Sequence, residues 1–563
     1  MKFVLILFTF LNFSYNSEAQ LKFIIEDFEG VPDGQLNIKN GDGLFTFGNT
    51  KAMITSKMAF HSSSHINYLG DRSIMVYKEG QLNYGGWGKG IGANVDLNVD
   101  QDYLNFYVYA PQGDFSTTIK IELQEDDNGN NMYDKDQDDS WIYTQKIEAQ
   151  SSDKNTWKLI SIPLNKFKDA NQGGDGLFNI SYEKGKLFCF IVSFEDQSSK
   201  TKKKETPDDQ KKNQPLYFDF ICFSKGILPT GDEVFNTPVA GKTDLCSLGA
   251  WSKEGKPGDF CDIAYGFQNN FTTNKKLGVI HFFQPFSLDG GNMQNNYPSV
   301  ERINNVIHQG YIPMITLEDH FAKTSLTTKQ PNLYSIVEGH FDIFFADWAN
   351  QLRKVDGDVL LRILHEFNGD WYPWCVVNND KNPKLLISAF RRIHKIFQEQ
   401  GAVNVKFIWC PNSTSYPQEK WNTIMEAYPG DEYVHYIALD IYNGAGKDPL
   451  PVWRSFRKEG IENYYILTQQ LPNKPLLICE TASRERKESE SKDAQTKAEW
   501  IRQMSEALQS DMSKIRLLVW FNEKETFKVN SSDESRKSFL DYVWKDDYFK
   551  SGTEYLYPML QKY

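Results

Sequence analysis

From residue 20 to about 225, apolar and polar positions alternate in short runs. LNFYVYA (104–110), TTIKIELQ (117–124), WKLISIPL (157–164), KLFCFIVSF (186–194) and LYFDFICF (216–223) are bounded by glycine, aspartate, asparagine and serine. Period-two alternation broken by turn residues predicts strands that bury one face. Helical periodicity is absent here, so the expectation is an all-β jelly-roll sandwich over residues 20–225. The charged stretch KTKKKETPDDQKK (200–212) predicts a solvated loop, and residues 226–245 read as a linker.

The pattern changes at about residue 246. Apolar runs of strand length now alternate with amphipathic segments: LGAW (248–251), LGVIHFF (277–283), YIPMITLE (311–318), LLRILHEF (360–367), VKFIWCP (405–411), YIALDIY (436–442), LLICETA (476–482) and LLVWFNE (517–523). Between them, Leu386, Phe390, Ile393 and Phe397 share one helical face, and Trp500, Met504 and Leu508 another. Eight β-then-α units predict a (β/α)₈ TIM barrel over residues 246–563. Such barrels build their sites where the strands end. At those ends stand Trp251, His281, Phe283, Glu318, His320, His365, Glu366, Asn412, Asp440, Tyr442, Glu480, Trp520 and Glu523.

Composition narrows the partner. The net charge of -12 and pI near 5.4 argue against nucleic acid and anionic membranes, and favour a neutral ligand. Aromatics make up 14% of the chain, enough for a thick core or for ring platforms. At the N-terminus, Lys2, an apolar stretch from Phe3 to Phe13 and the small-x-small site Ser17-Glu18-Ala19 predict a signal peptide over residues 1–19, cleaved after Ala19. The product would be secreted or periplasmic, a monomer, with no membrane span. Seven scattered cysteines contain no CxxC pair, which gives a zinc cage no support; a Cys246–Cys261 bridge is possible, and Cys189, Cys410 and Cys479 read as buried thiols.

Glu366 ends the fourth apolar run and Glu480 lies in the seventh. A lone glutamate at a strand end is usually solvated or capping. Two of them across a barrel mouth suit glycoside hydrolysis, one as proton donor and the other as nucleophile or water-positioning base. His365 can donate to a sugar hydroxyl, Trp371 and Trp374 can stack on pyranose faces, and Tyr442 can hydrogen-bond Glu480. A metal-dependent hydrolase using His281, His320 and His365 is a weaker rival, because no two of these share a close spacing. A polysaccharide-binding protein without catalysis is another, opposed by the presence of both glutamates, His365 and Tyr442.

The motif RxxHExNGxWxxW, here Arg362, His365, Glu366, Asn368, Gly369, Trp371 and Trp374, together with ICETAS at 478–483, resembles glycoside hydrolase family 26. The resemblance covers about residues 246–545. It implies a retaining clan-A barrel with no cofactor and no metal, acting on a β-linked polysaccharide. It also implies Glu366 as acid/base, Glu480 as nucleophile, His365 as a sugar-binding residue, Tyr442 as the partner of Glu480 and Trp520 as the floor of the −1 subsite. Arg362, Asn368, Phe283 and Glu318 complete the expected substrate-binding set. Tyr372-Pro373-Trp374 replaces the consecutive aromatics of many mannanases in the family, so mixed-linkage β-glucan (lichenase) or xylan stands beside mannan, which ranks first.

The N-terminal region resembles carbohydrate-binding jelly rolls in its architecture and in the IIEDFEG start. Tyr84, Trp87, Tyr107, Trp141 and Tyr143 are platform candidates, each more readily explained by packing. The acidic turn EDDNGNNMYDKDQDD (125–139) sets Asp126, Asn128 and Asn130 at alternating positions like a calcium loop. Asn131 and Gln137 stand where such a loop needs glycine and glutamate, which predicts a solvated turn.

Overall fold

The computed structural model describes residues 20–28, 34–36, 43–56, 72–78, 84–111, 115–149, 157–181, 185–195, 215–227, 245–252, 260–271, 273, 275–286, 297–318, 331–444, 453–487, 496–510, 512–523 and 525–550. The signal peptide, the charged loop at 200–212, most of the linker and His320 lie outside the described residues.

The alternating runs of the N-terminal region form two antiparallel sheets. In one, strand Asp102–Tyr109 lies between Lys158–Pro163 and Leu216–Lys225, and Gln20–Glu26 pairs with Leu216–Lys225. In the other, Phe115–Asp126 lies between Ser140–Ala149 and Lys186–Glu195. Leu104, Phe106 and Val108 project into the core between the sheets, with Trp87, Ile121, Phe190 and Phe218. The opposite face of the same strands is buried too. Tyr107, Phe220 and Cys222 join Leu21 and Ile24 in the hydrophobic cluster of the second domain. This sheet is therefore covered on both faces, which explains why LYFDFICF is apolar at consecutive positions rather than at every second one. A buried ion pair between Asp27 and Arg457 also crosses the junction, as does a hydrogen bond from Asn94 Nδ2 to Gln418 O (2.8 Å).

The second domain is a closed parallel barrel. Its strands are β1 (Cys246–Ser252), β2 (Val279–Pro285), β3 (Ile312–Glu318), β4 (Val359–Arg362), β5 (Val405–Trp409), β6 (Tyr436–Asn443), β7 (Leu476–Ser483) and β8 (Ile515–Asn522). Each pairs with the next, and β1 pairs with both β2 and β8, so no edge is left open. The outer layer among the described residues comprises α1 (Cys261–Gln268), α2 (Val300–His308), α3 (Leu333–Val337), α4 (Asp342–Leu352), α5 (Pro383–Glu399), α6 (Phe456–Gln470), α7 (Lys497–Gln509) and α8 (Asp533–Phe539). The amphipathic stripes fall where expected: Leu386, Phe390, Ile393 and Phe397 are buried on α5, and Trp500, Met504 and Leu508 on α7. One of the eight units departs from the β-then-α pattern. After β5 the chain makes three short 3₁₀ turns, Lys420–Asn422, Ile424–Ala427 and Asp431–Tyr433, where a helix was expected.

All seven cysteines are buried and outside any disulfide, so Cys246 and Cys261 are not bridged. Of the five sandwich aromatics, Trp87 fills the core, Tyr107 sits at the domain junction, and Trp141 and Tyr143 pack against the sandwich core. Tyr84 alone of the five is well exposed, at 64%.

Candidate active site

Period-two alternation along each barrel strand selects what reaches the mouth. Val279, Met314, Leu360, Ile408, Ala438, Leu477, Leu517 and Val519 form part of the apolar barrel interior. Two residues further along their strands come His281, Thr316, Arg362, Cys410 and Asp440, and two further again Phe283, Glu318, Asn412 and Tyr442. Strand β7 breaks the rule. Leu477 and Cys479 both belong to the interior, yet Glu480, the next residue, also meets lumen groups. Pairing with β6 runs from Leu439–Ile478 directly to Asp440–Glu480, passing over Cys479. This β-bulge puts two consecutive side chains inside and aims Glu480 at the mouth.

Arg362 organises the lumen. Fully buried, it donates from Nη1 to Asp440 Oδ2 (2.5 Å), from Nη2 to Glu480 Oε1 and from Nε to Thr316 Oγ1 (2.8 Å). Thr316 Oγ1 in turn lies 2.8 Å from His281 Nε2. The second oxygen of Glu480 accepts from the Tyr442 hydroxyl at 2.5 Å. Arg362 is thus a buried positioning group that fixes two carboxylates at once, and its burial leaves it no exposed surface for the substrate contact expected of it.

Glu366 is held differently. The chain leaves β4 through two residues with positive φ, Leu364 at 50° and Glu366 at 50°. Backbone in this region is strained for side chains larger than glycine, by about 1–3 kcal/mol each. The turn is held by Glu366 N donating to Cys410 O (2.8 Å) and Gly369 N to Glu366 O (2.9 Å). The carboxyl accepts from Trp371 Nε1 (2.6 Å) and Asn412 Nδ2 (2.8 Å). Burial first, and the nearby charge of Glu480 second, push its pKa up to about 7, against the pull of Asn412, Arg362 and Trp371.

The structure corrects several sequence expectations. Trp374 is fully buried; its indole donates to His365 O (2.7 Å) and its ring stacks on Tyr372 at 4.6 Å, so it is not a sugar platform. Asn368 is equally buried, and its amide brackets Asn412, donating to Asn412 O (2.9 Å) and accepting from Asn412 N (2.8 Å). Trp520 points outward between α7 and α8, with Phe539 at 5.2 Å and Trp500 at 6.3 Å. The aromatic that β8 offers to the mouth is its neighbour Phe521, edge-on to Tyr442 and Phe283. Counting in twos from Val519 selects Phe521 correctly. Trp371 and Phe283 remain partly exposed at the mouth.

Tyr372 was also missed. Its hydroxyl donates to Glu318 Oε1 (2.9 Å) and lies 3.1 Å from His365 Nε2, joining two expected sugar-binding residues. Burial and the Glu318 charge hold its pKa well above the ordinary tyrosine value, so it stays a donor. Of the histidines offered for a metal, the two described ones face different groups: His281 faces Thr316 and His365 faces Tyr372.

Two carboxyl groups in contrasting surroundings, with aromatics beside them, therefore gather at the barrel mouth. Residues 308–457 match the model of glycosyl hydrolase family 26. The matched segment runs from the end of α2 into α6 and includes Arg362, Glu366, Asn412 and Tyr442. Endoglucanase H of Acetivibrio thermocellus is 31% identical over 280 residues, which cover 48% of this chain and 28% of that protein. A mannan endo-1,4-beta-mannosidase of Bacillus subtilis is 28% identical over 102 residues, 17% of this chain and 27% of that one. The chain spans less than a third of the length of these two curated relatives. Among solved structures, the Podospora anserina GH26-CBM35 beta-(1,4)-mannanase aligns with 92% of this chain and 100% of its own, at 12% identity and a TM-score of 0.40.

Proposed function

We propose that the chain is a secreted or periplasmic retaining endo-glycoside hydrolase acting on β-1,4-linked polysaccharide, with Glu366 as acid/base and Glu480 as nucleophile. The observation that carries this reading is the contrast between the two carboxyl groups. Glu366, which has no direct cationic partner among the described residues, is lifted to about 7 and retains a proton near neutrality. Glu480 is held by Arg362 and Tyr442 with its oxygens fixed in place. Divergent environments for two neighbouring carboxyls are how one site supplies both an acid and a nucleophile.

In the first step a Glu480 oxygen attacks the anomeric carbon while Glu366 transfers its proton to the departing glycosidic oxygen. The C–O bond breaks and a glycosyl ester forms on Glu480. In the second step Glu366, now a carboxylate, takes a proton from water, whose oxygen displaces Glu480 and restores the anomeric configuration. Trp371 and Phe521 line the sugar path, and His365, Glu318 and Tyr372 form a hydrogen-bonding wall.

Mannan is the first substrate, in keeping with the mannosidase named among the relatives. Mixed-linkage β-glucan is the second reading, favoured by the longer match to an endoglucanase and by Pro373 in the aromatic turn. The sandwich is proposed as a jelly-roll carbohydrate-binding module, with Tyr84 and the adjacent Phe47 ring (5.4 Å) as its exposed platform. The test is release of reducing sugar from galactomannan, glucomannan, barley β-glucan and β-1,3-xylan by wild type and Glu480→Ala. Release from none of them by wild type would refute the enzyme reading.

A further inference from the structure

We propose that the N-terminal sandwich binds a calcium ion between Glu125, Asp127 and Asp139. The three carboxylates each bring one oxygen within 4.8 Å of the others. They come from the end of strand Phe115–Asp126 and from the acidic turn leading into Ser140–Ala149. The tip of the turn is solvated as its composition suggests, with residues 128–132 and 135–137 exposed, but its base is not: Asp126, Asp138 and Asp139 are all 0% exposed.

The acidic side chains divide into two groups. Asp126 caps its own turn, accepting from Asn130 N (3.1 Å) and Asn131 N (2.8 Å). Asp138 accepts from Asp127 N (3.1 Å), Asn128 Nδ2 (3.0 Å) and Asp134 N (2.7 Å). Those charges are consumed in building the loop, as are Asn128 and Asn130, whose side-chain oxygens cap nearby amides. The alternating Asp126/Asn128/Asn130 set that imitates a calcium loop is therefore structural.

Glu125, Asp127 and Asp139 are left over. Asp139 uses Oδ2 to accept from Gly176 N (3.0 Å), and Asp127 uses Oδ2 to accept from Asp139 N (2.8 Å). The other oxygen of each, Asp139 Oδ1 and Asp127 Oδ1, is shut off from solvent with no hydrogen-bond partner among the described residues. Glu125 is 0% exposed and, among the described residues, accepts from Trp141 Nε1 (3.0 Å) and Asn179 N (3.3 Å). The charges acting most strongly on all three are other carboxylates. Burial and this mutual repulsion lift Glu125 to about 8 and Asp127 to about 6. Clustered buried anions without a counter-charge are costly, and a cation among them removes that cost.

The surroundings are shaped closely around the cluster. A Cβ at Gly174, which has φ +68°, would lie 2.1 Å from Asp139 Oδ1 and 2.8 Å from Asp127 Oδ2; one at Gly185 would lie 2.1 Å from Glu125 Oε1. Backbone thus approaches the carboxylates where any side chain would collide. An all-oxygen set without histidine or thiolate selects a hard cation, and the irregular spacing suits calcium better than the octahedral demands of magnesium.

The test uses the full chain, stripped with EGTA and titrated with CaCl₂ or MgCl₂ in isothermal titration calorimetry, with differential scanning calorimetry in parallel. One calcium should bind per chain with a dissociation constant of about 10⁻⁴ M or tighter, magnesium far more weakly, and calcium should raise the melting transition of the sandwich. Asp127→Asn, at a partly exposed position that tolerates the change, should weaken calcium by about tenfold or more. Asp139→Asn should abolish binding. Glu480→Ala should bind calcium like wild type, which separates this site from the barrel. Absence of both heat and melting shift would overturn the proposal and leave the cluster a set of protonated carboxyls. Unchanged affinity in Asp127→Asn and Asp139→Asn, or lost affinity in Glu480→Ala, would overturn it equally.

Discussion

Trp371 donates its indole N–H to Glu366 Oε2 at 2.6 Å. The same ring stands partly exposed at the barrel mouth, so in the proposed mechanism one side chain would both line the sugar path and tune the proton donor. A donor to a carboxylate favours its charged form and so pulls the pKa down. In Trp371→Phe that pull is lost and the Glu366 pKa rises above its present value of about 7. Activity that needs protonated Glu366 falls as pH climbs through this pKa. The basic limb of kcat/KM should therefore move upward, by about half to one pH unit for a hydrogen bond of ~1 kcal/mol. A pH–rate profile measures it, and a downward shift would contradict the assignment.

Glu366→Gln keeps the shape and removes the proton. On polysaccharide, kcat should drop by about 10²–10⁴. On an aryl glycoside with an acidic phenol as leaving group, the loss should be far smaller, since that group departs without protonation. Equal losses on both substrates would mean that Glu366 does not act as the acid.

Arg362 joins Asp440, Glu480 and Thr316 inside the barrel. Arg362→Met leaves two buried carboxylates without their cation. Stability should fall by about 3–5 kcal/mol, read from denaturant midpoints. Asp440→Asn added to this variant should recover part of the loss, because one of the stranded charges is removed. No recovery would show that Asp440 and Arg362 are not coupled.

Adjacent residues on β8 should separate cleanly. Phe521→Ala should weaken substrate binding by about tenfold, seen in KM, with little change in melting temperature. Trp520→Phe should do the reverse, lowering stability by about 1–3 kcal/mol while KM holds. Exchange of these two outcomes would restore Trp520 as the subsite floor.

Much of this architecture was legible in the chain. Period-two runs such as LNFYVYA and eight spaced apolar strands depend on local burial, which a linear pattern records directly. Glu366 and Glu480 were legible as a candidate pair for the same reason, since each follows an apolar run that has to end at the barrel rim. What the pattern left open was decided by register and packing. The bulge at Cys479 shifts Glu480 into the lumen, a displacement visible only once β6 and β7 are paired. Trp520 and Phe521 are both aromatic, and only the inward parity set by Val519 says which one meets the mouth. Trp374 looks like a platform until Tyr372 stacks on it and His365 O takes its N–H. The tip of the acidic turn is solvated as its composition suggests, whereas Glu125, Asp138 and Asp139 at its base are covered by the return of residues 171–179 from more than thirty positions away. Sequence determined which segments were strands and which polar and aromatic residues stood at their ends. The tertiary structure determined which of two neighbours faced inward, because that depends on contacts between segments far apart in the chain.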